Sequence, residues 1–141
     1  MQPGEIYRHE AFYIDDHGRP EAKYVLLLAV PPREDVVARL LTSEPHGRPE
    51  QPACYHGVPY GGYFLGMPGE PLTRKTWVDL RYLDDFDAME FRKREAKGIL
   101  ALARTIPTET LRSILECVAA ADDTTRYQER RLRDALARLR T

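Results

Sequence analysis

Lys23-Tyr24-Val25-Leu26-Leu27-Leu28-Ala29-Val30, then Pro31-Pro32-Arg33-Glu34-Asp35, then Val36-Val37-Ala38-Arg39-Leu40-Leu41-Thr42-Ser43 is the stretch that decides the fold. Its first segment is a nearly continuous apolar run with β-branched and aromatic members. The run is short and has proline on both sides, at Pro20 and at Pro31-Pro32, so it reads as a buried strand and not a helix. The second segment alternates less cleanly and ends in the hydroxyl pair Thr42-Ser43. Two strands joined by a polar turn make a buried hairpin whose far end delivers two hydroxyls, which is a scaffold for a site.

Upstream, residues 4–13 read as a first strand, interrupted near His9-Glu10. Asp15 to Pro20 has the composition of a turn, with Gly18 free to take positive φ and Pro20 delaying pairing. Downstream, residues 44–61 form a long loop rich in Pro, Gly and His, a length that marks functional or mobile segments. Residues 62–65 suit a short strand. Residues 74–82 suit a clearer one, with Thr76, Val78, Leu80 and Tyr82 on one face and Trp77, Asp79 and Arg81 on the other. An acidic segment (Asp84, Asp85, Asp87) and a basic one (Arg92, Lys93, Arg94, Lys97) precede a last strand, 99–105.

The C-terminal third changes period. Pro107 and Thr108 mark a helix start with Thr108 as N-cap and Glu109 in the first turn. Leu111, Ile114, Leu115 and Val118 share one face. Thr125 and Gln128 have capping-box spacing ahead of a second helix, 124–140. Its stripe of Leu132, Ala135, Leu136 and Leu139 suits packing on this domain, on a second copy or on another protein. Strands followed by helices indicate an α+β fold with a mostly antiparallel sheet, and strands this short can curl into a small barrel. The expected division is a barrel with closing helix over 1–121 and an amphipathic basic helix over 122–141, part of the same domain or an interface extension.

A chain of 141 residues, 43% hydrophobic and 30% charged, excludes wholesale disorder and collagen-like or membrane classes. With no apolar run of spanning length and no signal-peptide pattern, the expectation is a soluble, cytoplasmic protein. Cys54 and Cys117 do not make a disulfide framework and are expected to be reduced, with Cys117 packing in the helix. Arg126, Arg130, Arg131, Arg133, Arg138 and Arg140 stand against Glu129 and Asp134, a local +4 within a total of −1. Such an end suits nucleic acid, but a solvated helix face is the commoner origin of a mixed-charge helix. Cys54-x-His56 with His46 is an incomplete zinc set. Asp79, Asp84, Asp85 and Asp87 could hold Mg²⁺, but suit turns and caps as well. Gly61-Gly62 lacks the Lys-Ser/Thr of a phosphate loop. No metal and no cofactor is expected.

Cleaving RNA takes a base for the 2′-OH, an acid for the leaving 5′-oxygen and cations for the phosphate. The long loop supplies His46, Arg48, Tyr55 and His56, with Thr42, Ser43, Arg74 and Lys75 beside it if the sheet closes. Tyr55, Tyr60 and Tyr63 could stack bases or pack the loop onto the core.

The layout resembles the PemK/MazF-like family, the toxins of bacterial toxin–antitoxin pairs. Gly4-Glu5-Ile6-Tyr7 is similar to the family's opening "G-D-I" strand, and residues 23–29 stand where it has Arg-Pro before an apolar run. Arg39-Leu40-Leu41-Thr42-Ser43 matches the strand ending in Thr-Ser. Residues 72–80 resemble its "L-x-x-x-S-x-V" strand. Gly98-Ile99-Leu100 and residues 107–118 resemble its "G-x-L" and closing helix. The resemblance covers roughly residues 4–120. It implies an SH3-like barrel, a homodimer, an antitoxin partner and metal-independent endoribonuclease activity on single-stranded RNA. It carries catalysis to Lys23 and Thr42; with Ser43 beside Thr42 these are the catalytic candidates, and Arg19, Arg39, His46, Arg48, His56, Arg74 and Lys75 are the candidates for substrate binding. The family's Arg-Pro is Lys23-Tyr24 here. Lysine offers phosphate a point charge but not arginine's bidentate fork. Either Arg39 or Arg19 fills in, or the domain is a non-catalytic PemK-like module that binds protein or nucleic acid.

Overall fold

The apolar run is buried on both faces because it lies inside a sheet covered on both sides. The computed structural model describes residues 1–139; Arg140, the last of the C-terminal arginines, lies outside them. The elements are β1 (Glu5–Ile14), β2 (Pro20–Ala29), β3 (Val37–Thr42), β4 (Cys54–Tyr55), β5 (Gly62–Gly66), β6 (Thr76–Asp79), α1 (Ala88–Ala96), β7 (Leu100–Thr105), α2 (Thr108–Ala119) and α3 (Arg126–Arg138). The strands form one antiparallel seven-stranded sheet in the order β4-β5-β6-β3-β2-β1-β7.

Successive strand residues point to opposite faces. Val25 and Leu27 therefore join Tyr7, Val36, Ala38, Phe91 and Leu100 on the α1 side. Leu26 and Leu28 join Ile6, Val37, Val78, Ile114, Leu115 and Leu132 under α2 and α3. Both faces are apolar, so the strand reads as a continuous run and not an alternation. Each fully buried Leu or Ile contributes about 1.5–3 kcal/mol relative to exposure.

The architecture is α+β with an antiparallel sheet, but the expected small barrel is not closed. Among the described residues no ladder joins β4 to β7. Closure needs edge strands long enough to pair at a tilt; β4 has two residues, and β7 pairs on its inner side with β1. The α2 and α3 layer covers the sheet instead. Pro20 does pair, opposite Ile14, since the first residue of a strand can do without a ladder donor. The interruption in β1 is a register shift between His9 and Tyr13.

Pro107, not Thr108, is the N-cap of α2, and no side chain caps it. At α3 the Thr125–Gln128 capping box is present. Leu132 and Leu136 are buried in the same cluster as Leu26 and Leu28, so the stripe is consumed within the chain and is not open to a second copy. Helix α1 stands where only charge blocks were read. Its N-cap Asp87 accepts a hydrogen bond from Glu90 N at 2.9 Å, and Phe91 is its one buried side chain.

Cys54 of β4 and Cys117 of α2 are joined in a disulfide across 63 residues, in place of the expected free thiols. The fold brings strand and helix together with Cα atoms 5.7 Å apart, within the bridging range. No helix among the described residues is long and apolar enough to cross a membrane.

His9 is 5% exposed, and Arg94 Nη1 lies 3.2 Å from its Nε2. Burial, and then the Arg94 charge, hold its pKa below the ordinary histidine value. Above about pH 6.5 both folded and unfolded states carry it neutral. Below that, the unfolded chain binds a proton that the fold refuses, so stability falls as pH drops toward the folded pKa. Urea denaturation through this range should show the loss in the native protein and a flatter profile in His9→Gln.

Candidate functional site

A cleft of about 530 Å³ opens beside β2, the end of β3 and the segment leading into β6. It gathers Lys23, Thr42, Ser43, His46, Arg48 and Arg74 of the ten residues singled out in the sequence, with Tyr13, Glu21, Tyr24, Glu44, Asp79 and Arg81.

The turn after β3 builds the centre. Thr42 Oγ1 accepts from Glu44 N at 3.1 Å, the local bond by which threonine shapes a turn. His46 follows Pro45 with φ 44°, in the left-handed region that histidine enters more readily than most residues. Its Nε2 lies 2.9 Å from Glu44 Oε2, and its ring meets Tyr60 edge-on at 5.9 Å. The imidazole is thus oriented by a carboxylate beside two hydroxyls, on an exposed rim.

Arg48 is the anchor of this turn, not a free cation. It is 4% exposed. Its Nε donates to Gly61 O at 2.8 Å, and its Nη1 lies 3.4 Å from the carbonyls of Glu44 and Pro45. Its Nη2 is 3.2 Å from Asp79 Oδ1 but is not aligned for a hydrogen bond. Gly62 permits this approach, since a Cβ there would come within 2.4 Å of Arg48 Cδ. Burial pulls the Arg48 pKa down while Asp79 opposes it. Burial pushes the Asp79 carboxyl up, yet hydrogen bonds from Arg81, at 2.7 Å for Nη2, and the charges of Arg81 and Arg48 hold it below the usual value. Tyr60 receives both guanidinium groups, Arg48 at 5.3 Å and Arg81 at 4.7 Å from the ring centre.

With Arg48 and Arg81 committed to Asp79, the remaining cations are Lys23, whose Nζ stands 5.6 Å from the Tyr13 ring centre, and exposed Arg74. Glu21 and Glu44 are the remaining carboxylates. The arrangement offers two cations for an anion, a carboxylate-bound imidazole and two hydroxyls.

Four of the ten singled-out residues lie elsewhere. Arg19 sits at the β1–β2 turn, its N donating to Asp15 Oδ1 at 2.9 Å. Lys75 pairs at the surface with Glu50 at 2.8 Å. Arg39 is opposite Leu26 in the ladder and so faces the helices, fully enclosed. Its Nη1 donates to Ala38 O at 2.8 Å, and its Nη2 donates to Gln128 Oε1 at 2.9 Å and Thr124 Oγ1 at 3.3 Å. His56 stands at the disulfide, with Nε2 2.9 Å from Cys117 O. In the sequence Glu44 and Arg81 were given no role in a site, Tyr60 was weighed only for stacking bases, and Asp79 only for Mg²⁺ or a turn. The strand alternation that puts Asp79 and Arg81 on one face was the available signal for that pair. No family model, curated protein or solved structure matches the chain.

Proposed function

We propose that the cleft binds single-stranded RNA and cleaves it without a metal, in the manner of PemK/MazF-like endoribonucleases. The observation that carries this reading is the convergence of Lys23, Thr42, Ser43, Arg74 and the His46–Glu44 pair on one open cleft. His46 takes the proton of the 2′-OH as its oxygen bonds to phosphorus. Lys23 and Arg74 hold the charge on the phosphate, Thr42 offers a hydrogen bond to a non-bridging oxygen, and the 5′-oxygen leaves with a proton from the Lys23 ammonium. Tyr13 and Tyr24 supply faces on which bases stack. An SH3-like origin of the sheet, a homodimer and an antitoxin partner belong to the same reading.

A second reading, a binding module of the same kind without catalysis, is favoured by one observation: neither Arg39, enclosed under the helices, nor Arg19, at the β1–β2 turn and outside the cleft lining, stands where it could replace the arginine that Lys23 displaces.

The test is incubation of purified protein with mixed-sequence single-stranded RNA, with and without EDTA. Discrete, EDTA-insensitive fragments are expected, with no cleavage of the matching DNA, which lacks the 2′-OH. Lys23→Ala and Thr42→Ala should each slow cleavage by about 10²–10³. Intact RNA with folded protein refutes cleavage. RNA retention weakened by Lys23→Ala would then support the binding module.

A further inference from the structure

We infer that Cys54, His56 and Cys117 form a two-state site, a disulfide when oxidised and a Zn²⁺ site when the sulfurs are reduced. It shares no residue with the cleft and does not depend on the reading given to it.

The zinc set suggested by the sequence was Cys54, His56 and His46. In the fold His46 is bound to Glu44, and Cys117 takes its place: the ligand atoms of Cys54, His56 and Cys117 all lie within 4.8 Å of one another. His56 Nε2 is 3.4 Å from Cys54 Sγ and 3.6 Å from Cys117 Sγ. A tetrahedral Zn²⁺ with Zn–S of about 2.3 Å and Zn–N of about 2.1 Å requires N···S edges near 3.6 Å and an S···S edge near 3.8 Å. Both nitrogen–sulfur edges therefore already stand at the length of a metal site. Only the sulfur–sulfur edge must open, and it opens when the bond breaks.

The flanking structure suits that movement. Cys54 and His56 are two residues apart at β4, a two-residue strand at the sheet edge. Cys117 is 3% exposed and fixed in α2, while His56 is exposed. The site therefore has one rigid ligand, two on a short edge segment and a solvent-facing side for a fourth, water ligand. Two thiolates and an imidazole select Zn²⁺ over Mg²⁺ or Ca²⁺.

The chemistry balances with a dithiol as reductant. Its two thiols become a disulfide, the Cys54–Cys117 bond takes up the two electrons, and two protons make the thiols. Zn²⁺ then displaces those two protons. His56 moves its ring proton from Nε2 to Nδ1 and turns the Nε2 lone pair from the Cys117 carbonyl to the metal.

The test is titration of the full chain, reduced with a phosphine and kept under anaerobic conditions, with Co²⁺ as spectroscopic probe and Zn²⁺ as competitor. One equivalent of Co²⁺ should bind, with thiolate-to-cobalt charge-transfer absorption and tetrahedral d–d bands that Zn²⁺ abolishes; the oxidised chain should show neither. His56→Ala, at an exposed position, and Cys54→Ser should each weaken binding at least about tenfold. The proposal is overturned if the folded, reduced chain takes up no Co²⁺, or if both variants bind as the native chain does. A reduced chain that loses structure and does not regain it with Zn²⁺ also overturns it.

Discussion

Asp79→Ala should lower the unfolding free energy by about 3–5 kcal/mol, read from urea denaturation. The loss comes from Arg48, whose side chain is 1% exposed against 6% for Asp79. Without the carboxylate a buried guanidinium is left uncompensated. Arg81 adds little, because its side chain is 57% exposed and solvent screens it. Arg48→Met in the same chain should recover much of the loss, since the stranded charge goes with its partner. The Asp79 pKa is held below its ordinary 3.8. Its contribution is therefore complete above about pH 4, the unfolded value, and is lost as pH falls through the folded value. A cost under about 1 kcal/mol would show that the pair does not anchor the turn. The same substitution frees the segment carrying His46 and should impair whatever the cleft does.

Arg39→Ala should cost about 3–5 kcal/mol, and Arg39→Met about 1–3 kcal/mol, by the same measurement. The alanine leaves a void between β3 and α3 and removes the donors to Ala38, Thr124 and Gln128. The methionine keeps most of the volume and removes a buried charge that has no carboxylate among its hydrogen-bond partners. What it forfeits is chiefly the donor to Gln128 Oε1, a buried acceptor. Equal costs for the two would mean that the guanidinium, not the volume, holds α3 on the sheet.

The parts of the fold that rest on local pattern could be read directly. The run 23–30 declared a buried strand, Thr125 with Gln128 declared the start of α3, and Thr42-Ser43 at the end of β3 pointed to the cleft. Other features depend on distance or register. Nothing near Cys54 announces Cys117, because the contact exists only once β4 meets α2. Arg39 resembles any surface arginine until the ladder puts it opposite Leu26, on the helix-covered face. Arg48 follows a glycine in a polar loop, and its burial needs Gly62 and Asp79 from two other strands. Helix α1 was masked by charge, since Phe91 is its one buried residue, although Asp87 and Glu90 carried a capping signal. Whether the sheet closes depends on the length of β4, which is set by the pairing and not by the composition of the loop.

The order of the strands also bears on how the chain is made. β1 lies between β2, its sequence neighbour, and β7, which ends at Thr105. A ribosome adding 5–20 residues per second takes roughly 4–17 s to go from Ile14 to Leu100. During that interval β1 can zip onto β2, and β2 onto β3, but the other side of β1 presents unpaired amides and carbonyls to the crowded exit region. Nascent chains on neighbouring ribosomes could pair there, as exposed strand edges do. The emergence of β7 ends that exposure, so stalling translation between α1 and β7 should be the point at which this protein depends most on a chaperone.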